Sequence, residues 1–182
     1  MEANNIYHIY NRGNNKQLIF HNRDNYLYFL NKIRKHISPY CELLCYCLMP
    51  NHFHLLVSLG PDFEKDKFSN SYKTMLSSYT RAINRQNNKK GSLFQQNSKF
   101  KLVTNFEYVC FHYIHQNPTK AKLVSKMEDW EFSSFQDYCG LRNGTLCNKN
   151  EVYKLLDIPE DMSLFYKESY KTIQDEIVDL LS

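Results

Sequence analysis

No apolar run in this 182-residue chain approaches the length of a membrane-spanning helix, so an integral membrane protein is not expected. The N-terminus, Met1-Glu2-Ala3-Asn4-Asn5, lacks the charged and apolar regions of a signal peptide. Cysteine is present without organisation: Cys41, Cys45, Cys47, Cys110, Cys139 and Cys147 show no paired Cys-x-x-Cys spacing. Several lie in apolar segments, where thiols pack as small hydrophobes, and the cytoplasm is the expected compartment. Internal repeats and low-complexity tracts are missing too. The net charge of +4 is compatible with nucleic-acid binding but too small to argue for it alone. The length suits one domain with a small appendage, large enough to bury about two thirds of its unfolded surface without a staple.

Against those absences, Asn51-His52-Phe53-His54-Leu55-Leu56-Val57 stands out. It reads as a strand, in which alternate side chains leave the same face about 6.5–7 Å apart. His52 and His54 can therefore converge on one ion while Phe53, Leu55 and Val57 point into a core. Imidazole is the commonest metal-ligating side chain. A His-x-His taken alone is more often ordinary packing, so the pair needs support from elsewhere in the chain.

That support comes from residues 104–118. Thr104 with Glu107 reads as a capping box that starts a helix, and Pro118 disfavours helical geometry at Asn117, placing the end there. Phe106, Val109, Cys110, Tyr113, Ile114 and Asn117 follow the spacing of one helix face. Tyr113 and Asn117 then sit one turn apart on the stripe that meets the sheet. The plain alternative is a core tyrosine followed by a C-cap asparagine.

Periodicity organises the rest. Strands are expected at Ile6 to Tyr10, Cys41 to Met49, His52 to Leu59 and near Lys99 to Val103. Helices are expected from Asp24 to Ile37 and about Phe68 to Arg85. The order β-α-β-β-α-β is the α+β ferredoxin-like arrangement, an antiparallel sheet with helices on one face. Its first and third strands are central, which puts His52 and His54 in mid-sheet. The helix carrying Tyr113 comes next. Residues 1–140 are expected to form the catalytic domain and 141–182 a helical extension, with a short helix capped by Asn150 and a longer one from Ser163 to Leu181.

Five blocks occur in order: Met49-Pro50-Asn51-His52-Phe53-His54, Ser77-Ser78-Tyr79-Thr80-Arg81, Gly91-Ser92-Leu93-Phe94-Gln95, Tyr113-Ile114-His115-Gln116-Asn117-Pro118 and Trp130-Glu131-Phe132-Ser133-Ser134-Phe135. Together they resemble the REP-associated tyrosine transposases, a branch of the single-tyrosine HUH transposases, over about residues 5 to 140. The resemblance implies that His52 and His54 hold a divalent metal, that Tyr113 is the nucleophile and that Asn117 completes the metal shell. It implies cleavage and rejoining of single-stranded DNA through a covalent 5′-phosphotyrosine, at the foot of hairpin-forming repeats. Two imidazoles and an amide, with DNA supplying the negative ligands, suit Mg²⁺ or Mn²⁺. The chain departs from the family at Gln96-Asn97-Ser98-Lys99-Phe100-Lys101, where a basic, glycine-containing stretch is common, and at Lys120-Ala121-Lys122. Neither departure touches the proposed ligands or nucleophile.

Arg12, Lys16, Arg81, Arg85, Lys89, Lys90, Lys99, Lys101 and Lys120 are candidate phosphate contacts as a set, although each alone reads as a solvated charge. His112 and His115 lie off the Tyr113 stripe and are expected towards solvent or the DNA backbone. The extension after residue 140 resembles that of transposases acting as monomers, so a monomer with its active site in cis is expected rather than a homodimer. Two other readings compete: a non-catalytic single-stranded nucleic-acid binder, and a metal-dependent hydrolase in which water attacks.

Overall fold

Alternation along the third strand decides the architecture. The computed structural model describes residues 1–181. Among them are four strands: β1 (Ile6–Arg12), β2 (Glu42–Met49), β3 (His52–Ser58) and β4 (Lys99–Val103). They form one antiparallel sheet in the order β2-β3-β1-β4, so β1 and β3 are central as the β-α-β-β-α-β reading requires. Phe53, Leu55 and Val57 enter one core with Tyr7, Ile9, Tyr46 and Leu48, while Leu56 belongs to a second core on the other face.

Helices α1 (Arg23–His36) and α2 (Lys65–Gln86) cover the first face. Asn22 caps α1 by accepting the Asn25 N–H at 3.0 Å. Tyr26, Phe29 and Ile33 of α1 and Phe68, Tyr72, Met75, Tyr79 and Ile83 of α2 are the buried stripes at helical spacing. Tyr79 keeps its hydroxyl satisfied in this core by donating to the Ile19 carbonyl at 2.7 Å.

Helix α3 (Glu107–Lys120) lies on the second face, with α4 (Phe135–Tyr138), α5 (Lys149–Leu156), α6 (Met162–Ser169) and α7 (Asp175–Leu181) around it. A register shift in β2 between Leu43 and Cys45 turns Leu44 and Cys45 both towards this face, beside Cys110, Phe111 and Ile114 of α3. Val152, Leu156, Phe165 and Leu181 from the last three helices share the same core. All six cysteines are free thiols, five of them buried. No helix among the described residues is long and apolar enough to cross a membrane.

Four local expectations fail, each for a physical reason. Thr104 does not cap α3: Asn105 takes φ 66°, a left-handed turn, so the N-cap moves to Phe106 without a side-chain cap bond. Pro118 does not end α3, which runs on to Lys120. Proline's missing N–H would strand the Ile114 carbonyl; the Asn117 side-chain amide reaches it at 3.4 Å and the Tyr113 carbonyl at 2.9 Å. Asn148 rather than Asn150 caps α5, accepting from the Glu151 N–H at 3.1 Å. The single helix from Ser163 to Leu181 is two, α6 and α7. Gln116 of α3 donates to the Ser169 and Lys171 carbonyls at 2.8 and 2.9 Å, holding the break between them.

Arg142 ties the start of the extension down. It pairs with Asp137 at 2.7 Å and donates to the Glu131 and Ser133 carbonyls. The Asp137 carboxylate also accepts the Gly144 N–H at 2.9 Å, an approach so close that a Cβ on residue 144 would lie 2.5 Å from the carboxylate oxygen.

Candidate active site

His52 and His54 leave β3 on the face opposite Phe53 and Leu55, their ring centroids 5.0 Å apart and nearly perpendicular. The sheet pairing sets their neighbours: Tyr10 and Cys47 flank His54, with Lys99 beyond Tyr10, and Arg12 and Met49 flank His52. Each histidine has one ring nitrogen occupied. His52 Nδ1 meets Asn51 Oδ1 at 2.6 Å, and His54 Nδ1 meets His8 Nε2 at 2.8 Å. His54 Nε2 is buried and has no hydrogen-bond partner among the described residues, so it is the ring nitrogen of His54 still available to a ligand.

Tyr113 and Asn117 complete the wall from α3. The two residues line a cleft of about 410 Å³ with His52, His54, Tyr10, Asn11, Arg12, Gln95, Asn97 and Lys99. The Tyr113 ring stands edge-on to His54, centroids 6.0 Å apart. Because Asn117 spends its amide nitrogen on the Tyr113 and Ile114 carbonyls, its Oδ1 is the atom left for a ligand.

Burial sets the protonation states. It is the main cause that lowers His52 to about 4, with Arg12 adding to it. Burial likewise holds His54 well below the usual histidine range, helped by His8, His52 and Arg12. Both imidazoles are neutral at neutral pH, the state that can ligate a cation. Burial pushes the Tyr113 phenol up to about 12; Cys110 and Tyr10 act in the same direction and Arg12 opposes them.

Among the described residues no cluster of three or more His, Cys, Asp or Glu has metal-holding geometry. The available set is two imidazole nitrogens and one amide oxygen, with no carboxylate or thiolate. It fits a divalent cation whose remaining ligands are water and an anionic substrate.

The cationic residues divide. Arg12 and Lys99 line the cleft, and the Lys120 ammonium lies 5.5 Å from the centre of the Tyr113 ring. The Lys16 carbonyl accepts from the Asn51 side chain at 3.4 Å, and Lys101 sits beside His8 on β4. Arg81 lines an adjoining groove with Lys73, Gln95 and Gln96. Arg85, Lys89 and Lys90 do not line the cleft.

His112 and His115 correct an expectation: neither faces solvent, with exposures of 3% and 0%. The helical extension covers the outer side of α3. His115 Nε2 bonds Ser134 Oγ at 2.7 Å, and His112 packs between Tyr108 and Phe165. Sequence reasoning also passed over His8, Tyr10, Asn11, Gln95 and Asn97. A signal for the first two existed: Tyr7 and Ile9 face the first core, so alternation alone puts His8 and Tyr10 on the face of the histidines.

Comparison with known proteins gives the family and the fold. The family model described as "Transposase IS200 like" matches residues 2–117, the span that holds His52, His54, Tyr113 and Asn117. A relative from Haemophilus influenzae (strain ATCC 51907 / DSM 11121 / KW20 / Rd), named "Putative REP-associated tyrosine transposase", is 26% identical over 123 residues, 59% of this chain and 69% of the relative. A solved structure of a REP-associated tyrosine transposase bound to a REP hairpin superposes with a TM-score of 0.60 at 16% identity. It covers 81% of this chain and 90% of that one, a likeness of fold.

Proposed function

The chain belongs to the IS200-like transposase family, and from that premise we propose that it cuts and rejoins single-stranded DNA through a covalent bond between Tyr113 and a 5′ phosphate. The substrate is a hairpin-forming repeat end, a reading supported by the REP hairpin in the structurally similar transposase. His52 Nε2, His54 Nε2 and Asn117 Oδ1 are the protein ligands for Mg²⁺ or Mn²⁺. The observation that carries the reading is that His54, whose buried Nε2 has no hydrogen-bond partner among the described residues, lines one cleft with His52, Tyr113 and Asn117.

A divalent cation bound there supplies neutralising charge to the scissile phosphate and helps to orient it. The Tyr113 oxygen forms a bond to phosphorus as the bond to the 3′ oxygen breaks. The phenol proton passes to water, the departing 3′ oxygen takes a proton from water in turn, and that strand leaves with a free 3′ hydroxyl. Attack by a 3′ hydroxyl on the phosphotyrosine reverses the step, so the bond is conserved and no nucleotide cofactor is consumed. With its phenol held up at about 12, Tyr113 is protonated at rest, and Arg12 is the side chain at the cleft that favours the phenolate. Arg12, Lys99 and Lys120 are the cations best placed to hold the phosphates on either side. The remaining basic residues act further along the strand, positioning rather than specifying sequence.

We propose a monomer with a cis active site, a reading supported by the packing of Cys110, Phe111 and Ile114 of α3 on the sheet of the same chain. The test is cleavage of a labelled hairpin oligonucleotide with Mg²⁺, with Mn²⁺ and with chelator. Cleavage only with metal, leaving a denaturation-resistant protein–DNA adduct, is expected. Binding without cleavage would favour a non-catalytic binder, and multiple turnover without an adduct would favour hydrolysis by water.

A further inference from the structure

His8 is fully buried on β1, and its one polar contact between side chains is with His54. β1 and β3 pair antiparallel with His8 opposite Leu56, so His8 and His54 are diagonal neighbours on the same face of the sheet. At 2.8 Å one ring must donate and the other accept. We infer that His8 is a positioning residue for the metal site: its Nε2 accepts from His54 Nδ1–H and so fixes the tautomer of His54 that leaves the Nε2 lone pair available to a cation.

A neutral imidazole has one N–H and one lone pair, so the partner of one nitrogen decides what the other can do. The reverse arrangement would put a proton on His54 Nε2, which has no hydrogen-bond partner among the described residues, and a protonated nitrogen cannot ligate. His8 Nδ1 makes no direct hydrogen bond in either arrangement, so the choice between the two is made at His54 Nε2. A residue that merely filled space here would need no polar atom, and burying an imidazole is costly unless its nitrogens are used.

This inference rests on the metal reading above, and its first test does not need metal. Long-range ¹H–¹⁵N NMR of the metal-free wild type should show His54 as the Nδ1–H tautomer; finding the Nε2–H tautomer overturns the inference. In His8→Leu that preference should be lost, and Mn²⁺ affinity read by electron paramagnetic resonance should fall by about 10–100-fold. His8→Gln, which offers an acceptor oxygen in the same place, should restore most of both. Thermal unfolding establishes that each variant is folded. If folded His8→Leu keeps the tautomer and the affinity, His8 only packs. A wild type that holds the Nδ1–H tautomer yet binds no Mn²⁺ overturns the metal reading, and the ligand-positioning role falls with it.

Discussion

The side-chain nitrogen of Asn117 lies 2.9 Å from the carbonyl oxygen of Tyr113, one turn back along α3. This bond uses the amide nitrogen and leaves the oxygen uncommitted, and with the bond to the Ile114 carbonyl it supports α3 through Pro118. On the proposed metal reading, the same residue presents a ligand atom. Asn117→Ala removes both roles and should cost about 1 kcal/mol of stability together with cation affinity. Asn117→Asp keeps an oxygen but has no donor for the two carbonyls. It should bind Mn²⁺ at least as tightly as the wild type while unfolding at a lower temperature. Calorimetric titration beside a thermal melt checks both halves, and an Asp variant as stable as the wild type would contradict the capping role.

Replacing His52 and His54 together with alanine should abolish cleavage while leaving a folded protein, because Phe53, Leu55 and Val57 hold β3 from the other face. The melt should drop more for His54→Ala than for His52→Ala, since only His54 is buried against a partner ring. Wild-type cleavage by the double variant would remove the metal assignment.

Acid should destabilise the fold through its buried histidines. Burial lowers His8 to about 3 and His52 and His112 to about 4, against an ordinary value of 6.5. Each depressed group binds more protons unfolded than folded in that window, so stability is full above about pH 6.5 and declines as pH falls towards 4 and 3. Melting temperature measured from pH 8 to pH 3 should be flat at first and then fall. A melting temperature that held steady down to pH 4 would contradict the buried neutral imidazoles.

Alternation made the sheet and the placement of its histidines legible, because a period of two assigns each strand residue to a face before any contact is known. Phe53, Leu55 and Val57 entered the first core as that period requires, with β1 and β3 central. What escaped depends on residues far apart in sequence. The bond between His8 and His54 spans 46 positions and needs the β1–β3 register. His112 and His115 looked solvent-facing because α3 alone has an outer side; Ser134, just before α4, covers His115, and Phe165 of the folded-back extension covers His112. The Thr104 cap was lost to a single left-handed residue, Asn105, which no local pattern announced.

The proposed monomer is supported by the seating of α3. Its buried residues pack on Leu44, Cys45 and Leu56 of the same chain, which brings Tyr113 to its own histidines. Sedimentation velocity at micromolar concentration should give a monomer, and mixing Tyr113→Phe with the His52→Ala, His54→Ala variant should not restore cleavage. Restored cleavage in the mixture would mean that the helix is exchanged between chains.

The central claim is that Tyr113 becomes bonded to DNA. Tyr113→Phe should cost on the order of 1 kcal/mol or less, keep DNA binding and lose the adduct. Tyr108→Phe, whose hydroxyl faces Glu168 at 3.2 Å away from the cleft, should keep it. The direct measurement is tandem mass spectrometry of the wild-type protein after reaction with hairpin DNA and Mg²⁺, followed by nuclease and protease digestion. The account predicts a nucleotide phosphate attached to Tyr113; the same mass on Tyr108 or any other residue, or strand cleavage with no modified peptide, would contradict it.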